Sequence, residues 1–303
     1  MIVRTANLTK NFGSVQALAG VSLEFGEGAT GLLGPNGSGK TTLLRILLGL
    51  LPAEGTVEVF GMDPARKPRE VRARVGYMPE SECIIPGLSG IDVVAYLGRL
   101  SGMTRRDALQ RAHEVLYYVG LEEERYRDAN EYSQGMQQRL KLATALVHDP
   151  DLIFLDEPTN GLDPDGRAEM LAVIGELASD HGKSIVLSSH LLVDVERVCT
   201  GVVMLERGRV VKTGSIAELT ADRAHTYEVT VRGAADGFVD CLRRAGLNVR
   251  RGRPMLVDLP VGATPRVLFE AARDADALIQ GLRRVRRTLE DVFIENLEMT
   301  DAG

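Results

Sequence analysis

The sequence predicts an α/β domain with a largely parallel sheet, followed by a smaller α+β domain. Two observations indicate the first domain: short aliphatic runs read as buried strands, and longer segments with helical periodicity follow them. A third observation separates the second domain. After Leu219 lysine is absent, and residues 221–303 hold 13 arginines and 13 acidic residues, so that the whole net charge of −6 lies before this point.

The elements of the first domain follow from apolar runs and their flanking residues. Near the start, residues 3–8, 21–25 and 56–60 are expected to form antiparallel strands, because they are rich in β-branched and aliphatic side chains. Residues 29–33, 152–156 and 184–188 are expected to be buried strands of a parallel sheet. Helical patterns cover residues 40–50, 104–119, 136–147 and 164–178.

The tail has an alternation of its own. Strands are expected at residues 225–232, 247–251, 255–259 and 277–285, and helices at 236–245, 265–273 and 288–297. The order is βαββαβ with a last helix, which is typical of a small ferredoxin-like unit.

Charge and composition exclude several classes of protein. With 36 basic against 42 acidic residues, the chain lacks the positive excess on which general nucleic-acid binding depends, so no nucleic-acid partner is expected. No apolar stretch reaches the 18 or so residues of a membrane-spanning helix. The three cysteines, Cys83, Cys199 and Cys241, are too widely spaced for a metal-ligand pair and indicate a reducing compartment.

One segment matches the pattern G-x-x-x-x-G-K-[ST] between an expected strand and an expected helix. It consists of Gly34, Pro35, Asn36, Gly37, Ser38, Gly39, Lys40 and Thr41. Glycines let backbone N–H groups surround phosphate oxygens, and the helix N-terminus favours the same anion. Lys40 supplies a cation for the β- and γ-phosphates, and the Thr41 hydroxyl is suited to ligate Mg²⁺. The alternative is a glycine-rich turn without a ligand.

A second segment ends the apolar strand at residues 152–156 with two carboxylates. Asp156 is suited to position Mg²⁺, and Glu157 is suited to polarise a water for attack on the γ-phosphate. The alternative is an acidic strand end that is only solvated.

By these two motifs and their order along the chain, residues 1–220 resemble an ATP-binding-cassette (ABC) transporter ATPase. The resemblance implies the P-loop NTPase fold of the cassette, with an antiparallel β subdomain and a helical subdomain at about residues 85–150, and leaves 221–303 as an accessory domain. The segment from Tyr132 to Met136 is similar to the LSGGQ signature and keeps Ser133 and Gly135, which the family uses against the γ-phosphate. Without the family it is a polar helix cap.

The resemblance assigns further residues. Asp163 resembles the D-loop aspartate, and the alternative is a helix cap. His190 resembles the switch histidine that contacts the γ-phosphate, and the alternative is a cap or a packed residue. Phe12 occupies the place of the adenine-stacking aromatic and would otherwise be a core residue. Thr42, which follows the glycine-rich segment, is also expected to contact the nucleotide.

Glu80 stands where the family usually has the Q-loop glutamine. An ionised glutamate can ligate Mg²⁺ but cannot donate a hydrogen bond. We therefore expect a metal-linked catalytic role for Glu80, with a contact to a membrane subunit as the alternative.

The resemblance implies an ATPase that uses ATP and Mg²⁺ and drives a separate polytopic permease from the cytoplasmic face of the cell membrane. Two copies are expected to meet, because a working site of the family joins the P-loop of one subunit to the signature of another. Residues 288–293 resemble the corresponding part of ABC-2 type exporter ATPases. The alternatives are a soluble ABC ATPase that assembles a non-transport complex, and a module that holds nucleotide without hydrolysis.

Overall fold

A computed structural model describes residues 1–81, 85–221, 224–260, 262–285 and 288–293. The chain divides into two compact units, Met1–Ile216 and Ala217–Gly303. Among the described residues, every helix is too short or too polar to cross a membrane.

The first unit contains two sheets and a set of helices. Its strands are β1 (Val3–Phe12), β2 (Val15–Phe25), β3 (Ala29–Leu33), β4 (Glu54–Val59), β5 (Val75–Met78), β6 (Leu152–Asp156), β7 (Ser184–Ser189), β8 (Gly201–Glu206) and β9 (Arg209–Ser215). Its helices are α1 (Lys40–Leu47), α2 (Pro68–Arg72), α3 (Gly90–Leu100), α4 (Arg105–Tyr118), α5 (Gln134–Leu146), α6 (Pro164–Ser179) and α7 (Leu192–Val198), and α8 (Ile216–Leu219) follows at the division.

The smaller sheet is antiparallel and has the order β2-β1-β4. Its first two strands are longer than the sequence indicates, because they pair as a hairpin as far as Phe12 and Val15. The third strand ends at Val59 instead of residue 60, since Phe60 turns away with φ of +53°. These strands form the expected antiparallel β subdomain.

The larger sheet has the order β5-β6-β7-β3-β8-β9. The pairs from β5 to β8 are parallel, and only β9 is antiparallel to its neighbour. Since β3 pairs with β7 and β7 pairs with β6, the carboxyl ends of these three strands are neighbours. Polar residues that follow them are thereby brought to one edge, where ligands of open parallel sheets bind.

The helices differ from expectation at their ends. The first ends at Leu47 and not at residue 50, because Gly49 takes φ of +67° and closes the helix in a left-handed turn. Helix α5 starts two residues earlier than expected, because the Ser133 side chain caps it by accepting a bond from the Met136 N–H. Helix α3 was not foreseen from the periodicity; it begins at its cap Ser89 and packs with α4 and α5.

The second unit consists of β10 (Ala224–Gly233), α9 (Ala235–Arg244), β11 (Asn248–Arg250), β12 (Met255–Pro260), α10 (Arg266–Asp274) and β13 (Ala277–Val285). The sheet is antiparallel in the order β11-β12-β10-β13, which is the βαββαβ arrangement of a ferredoxin-like unit. Phe238 and Leu268 from the two helices share one core with Val229 and Val257. The helix expected at residues 288–297 runs beyond the described residues, which end at 293.

Candidate active site

The glycine-rich loop lies between β3 and α1. Two of its glycines are required by close contacts with neighbouring backbone. A Cβ on Gly34 would lie 2.2 Å from the carbonyl oxygen of Leu205, and a Cβ on Gly39, at φ of +105°, would lie 2.6 Å from that of Ala17. The loop is therefore pressed against the surrounding chain, which holds its backbone in one shape.

Lys40 is the first residue of α1 and is buried. Its Nζ donates to the carbonyl oxygen of Gly34 at 2.7 Å and to that of Pro35 at 3.4 Å. The same Nζ lies 3.5 Å from Oε1 of Glu157, and both side chains are only 6% exposed. The ammonium group is thus held inside the loop, next to the carboxylate expected to act as a base.

Asp156 is the last residue of β6 and is fully buried. Its Oδ2 accepts from the Thr41 hydroxyl at 2.8 Å, and its Oδ1 accepts from the Ser188 hydroxyl at 2.9 Å. A carboxylate and a hydroxyl at this distance form a pair of hard oxygen donors. The sequence pattern did not single out Ser188, although a hydroxyl two residues before His190 at a strand end was a usable signal.

Glu157 has a left-handed backbone, with φ of +51°. Its N–H donates to the carbonyl oxygen of Ser188 at 2.9 Å, so the residue after β6 stays bonded to the neighbouring strand β7. Its Oε2 lies 2.8 Å from Nδ1 of His190. A non-glycine residue in this conformation costs about 1–3 kcal/mol and is typical of functional sites.

These residues suit a magnesium-bound triphosphate. The buried Ser38 hydroxyl has no hydrogen-bond partner among the described residues, and neither has Oε1 of Glu157. Both atoms are therefore available for hydrogen bonds with a ligand in the loop. The described part of the chain contains no cluster of three His, Cys, Asp or Glu residues suited to a metal. Mg²⁺ takes few protein ligands and relies on water and phosphate oxygens, and the Thr41 hydroxyl with the Asp156 carboxylate is a donor pair of that kind.

The signature-like segment lies at the start of α5. The exposed Ser133 hydroxyl accepts from the Met136 N–H at 3.3 Å, and Gly135 is partly buried. Tyr132, which departs from the family pattern, is buried and donates its hydroxyl to the carbonyl oxygen of Glu124 at 2.7 Å. The tyrosine thus anchors the segment while Ser133 stays open to solvent.

Asp163 caps α6 by accepting from the Gly166 N–H at 3.1 Å. The loop before it is tied to α5, because Nε2 of Gln138 donates to the carbonyl oxygen of Asn160 at 3.0 Å. The structure therefore brings the signature-like segment and the D-loop together, and the cap role of Asp163 is present in it.

Three further predicted residues, Phe12, Thr42 and Glu80, show none of the side-chain contacts that join Lys40, Asp156 and Glu157. Phe12 ends β1 and is 47% exposed, which excludes the core alternative, and the Lys10 Nζ lies 5.1 Å from its ring centroid. Thr42 is partly buried on α1. Glu80 is exposed, and its carbonyl oxygen accepts from the Lys141 Nζ at 2.9 Å.

A buried ion pair near the site was missed by the sequence reasoning. Asp194 on α7 is 1% exposed and accepts from the Thr159 hydroxyl at 2.6 Å and from Nε of Arg167 at 2.6 Å. Thr159 follows Glu157 by two residues, so this pair fixes the loop that leaves β6 against α6 and α7. Residues so far apart in sequence give no local signal.

Comparisons with known proteins agree with this geometry. Residues 18–160 match the family model described as ABC transporter. The chain is 35% identical to the daunorubicin resistance ATP-binding protein DrrA3 of Streptomyces coeruleorubidus, over 94% of this chain and 92% of the relative. It is also 35% identical to the bacitracin transport ATP-binding protein BcrA of Enterococcus faecalis, over 72% of this chain and 70% of the relative.

Among solved structures, the dimeric post-hydrolysis state of the ATP-binding cassette MJ0796 bound to ADP and Pi matches with a TM-score of 0.65 and 28% identity, over 71% of this chain and 98% of that one. Fold, nucleotide site and relatives lead to one conclusion. The chain belongs to the ABC transporter family as an ATP-binding subunit, an ATPase that uses ATP and Mg²⁺.

Proposed function

We propose that this chain is the ATPase of an ABC-2 type exporter, bound to the cytoplasmic face of the membrane by a separate polytopic subunit. The observation that carries the proposal is the buried group of Lys40, Asp156 and Glu157 at the sheet edge, in a chain whose relatives include resistance and transport proteins. Substrate choice then lies with the membrane subunit, and this chain supplies the free energy of ATP hydrolysis.

In the proposed mechanism, the loop N–H groups and the Lys40 ammonium bind the β- and γ-phosphates. Thr41 and Asp156 would hold Mg²⁺, and the bound ion would supply positive charge to neutralise the phosphate oxygens. Glu157 accepts a proton from the attacking water, and its hydrogen bond to His190 orients the carboxylate. The aromatic ring of Phe12 stacks on the adenine.

We further propose that two copies complete each other's sites. Ser133 is exposed and bonds within its own helix, although its proposed role is to meet a γ-phosphate. The phosphate loop lies at the edge of the larger sheet. A second copy that presents the exposed start of α5 to this edge supplies the missing donors.

Size-exclusion chromatography with ATP and Mg²⁺ tests the dimer. We expect Glu157→Gln to form an ATP-dependent dimer because ATP is not consumed. Adding Ser133→Arg places a bulky side chain at the proposed contact and is expected to return the protein to the monomer. A dimer that persists in the double variant would contradict the arrangement.

The membrane partner is tested by affinity purification of the tagged chain from native membranes, followed by mass spectrometry. Co-purification of a chain with several membrane-spanning segments supports the exporter. Co-purification of soluble scaffold proteins alone contradicts it and favours an ATPase that assembles a non-transport complex.

A further inference from the structure

A cavity of about 800 Å³ lies between the carboxyl-terminal ends of α4, α5 and α6 in the first unit. Val115, Leu146 and Leu177 form its buried apolar wall, and the ring of Tyr118 lines it as well. The Tyr118 ring meets His181 edge to face, with centroids 5.5 Å apart. The volume is in the range of sites for small organic molecules, and most of the exposed lining surface is apolar although charged side chains border it.

The cavity is separate from the ATP site. Asp149 and Lys183 in its lining precede β6 and β7, so it lies at the amino ends of these strands, whereas the phosphate loop follows the carboxyl end of β3. Helix α5 runs from the cavity residue Leu146 back to Ser133, and its 13 residues span about 20 Å. A ligand in this cavity therefore cannot be the nucleotide.

The cations of the lining are already compensated. Nζ of Lys183 lies 2.8 Å from Oδ1 of Asp149, and Arg111 pairs with Glu114 at 3.1 Å and with Asp149 at 3.7 Å. Glu176 remains as an exposed carboxylate for which the described residues show no ion pair. The lining thus has one negative charge more than it has lysine and arginine side chains.

The hydroxyl of Tyr118 is buried next to this carboxylate. Its contact with the Glu176 carboxylate falls short of a well-formed hydrogen bond. Burial, together with the nearby charges of Glu176 and Asp180, raises the pKa of Tyr118 to about 12. The hydroxyl therefore stays protonated, and the negative potential that raises its pKa also favours a cation at this end of the cavity.

We propose that this cavity binds an amphipathic cation: an aromatic or other apolar body against Val115, Leu146 and Leu177, with a protonated amine at Glu176 and Tyr118. Apolar burial supplies affinity, and the carboxylate selects the charge. An anion of the same shape binds more weakly because of the excess negative charge.

Three indoles of different charge test the proposal: tryptamine, neutral indole and indole-3-acetate. Because the chain has no tryptophan, the indole fluorescence reports the ligand alone. The titrations use the full chain with a saturating non-hydrolysable ATP analogue, so that the adenine site is filled. We expect saturable tryptamine binding that is roughly fivefold tighter than indole-3-acetate binding and that weakens with salt.

Two variants locate the site. Glu176→Gln changes an exposed side chain, so the fold is retained. It is expected to weaken tryptamine binding roughly three- to fivefold and to leave indole binding unchanged. Glu123→Gln removes an equally exposed carboxylate outside the cavity and is expected to change nothing. Equal affinity for the three indoles, absence of saturation, or equal effects of the two variants would each overturn the proposal.

Discussion

Replacement of Glu157 by glutamine is expected to change ATP affinity and ATP turnover in opposite directions. The carboxylate lies 3.5 Å from the Lys40 Nζ, with both side chains 6% exposed, so their attraction is about 5 kcal/mol at an effective dielectric of 20. An incoming γ-phosphate competes with Glu157 for this ammonium group and is repelled by the carboxylate. The amide oxygen of the substituted side chain would still carry a partial negative charge near this ammonium group, so only part of the attraction is lost.

We therefore expect Glu157→Gln to bind Mg·ATP about tenfold more tightly, which corresponds to about 1.4 kcal/mol. Turnover is expected to fall by about 10²- to 10⁴-fold, because the proton acceptor for the attacking water is gone. Lys40→Met is expected to lower the affinity for ATP instead, since it removes the cation that faces the phosphates.

Affinity is measured by calorimetry with a non-hydrolysable analogue for all proteins, and turnover by release of phosphate in a single-turnover experiment. Glu54→Gln, an exposed change on β4, serves as the matched control and is expected to behave as the wild type. Wild-type turnover in Glu157→Gln would refute the assignment of the base. Weaker binding of the analogue would refute the competition for Lys40.

Three further predictions concern other parts of the molecule. Asp194→Asn leaves Arg167 without its carboxylate and is expected to lower the free energy of unfolding by about 2–3 kcal/mol, whereas Thr159→Val costs about 1 kcal/mol; thermal denaturation of both variants checks the ranking. Glu80→Gln is expected to raise the Mg²⁺ concentration for half-maximal ATPase activity roughly two- to threefold, and an unchanged titration would exclude a metal role. A fragment that ends at Thr220 is expected to bind ATP in a fluorescent-nucleotide assay, and its failure to fold would assign the tail to the cassette core.

Local patterns in the sequence were sufficient for the parts of the site that act over a few residues. The segment from Gly34 to Thr41 carries its chemistry in its own spacing, since the turn, the lysine and the hydroxyl are consecutive. The apolar run before Asp156 identified a buried strand with carboxylates at its end, and the structure buries all five residues of that strand, Asp156 included. The ABC cassette fold was recognisable from such segments and is confirmed by the structural matches.

Only the tertiary structure decided which of these segments meet. The strand order β6-β7-β3 places Ser188 beside Asp156 and His190 beside Glu157, although 32 and 33 residues separate the partners. The left-handed backbone of Glu157 has no signature in its own side chain, and it occurs where the Glu157 N–H donates to the carbonyl oxygen of Ser188 on the neighbouring strand.

The cavity beside Tyr118 had no signal in the sequence, because it depends on packing between helices that are distant in the chain. The sequence by itself determined the chemistry available to this protein, since spacing and residue type are local properties. The three-dimensional arrangement of these residues was decided by the pairing of strands and the packing of helices, because these are interactions between residues that are far apart in the sequence.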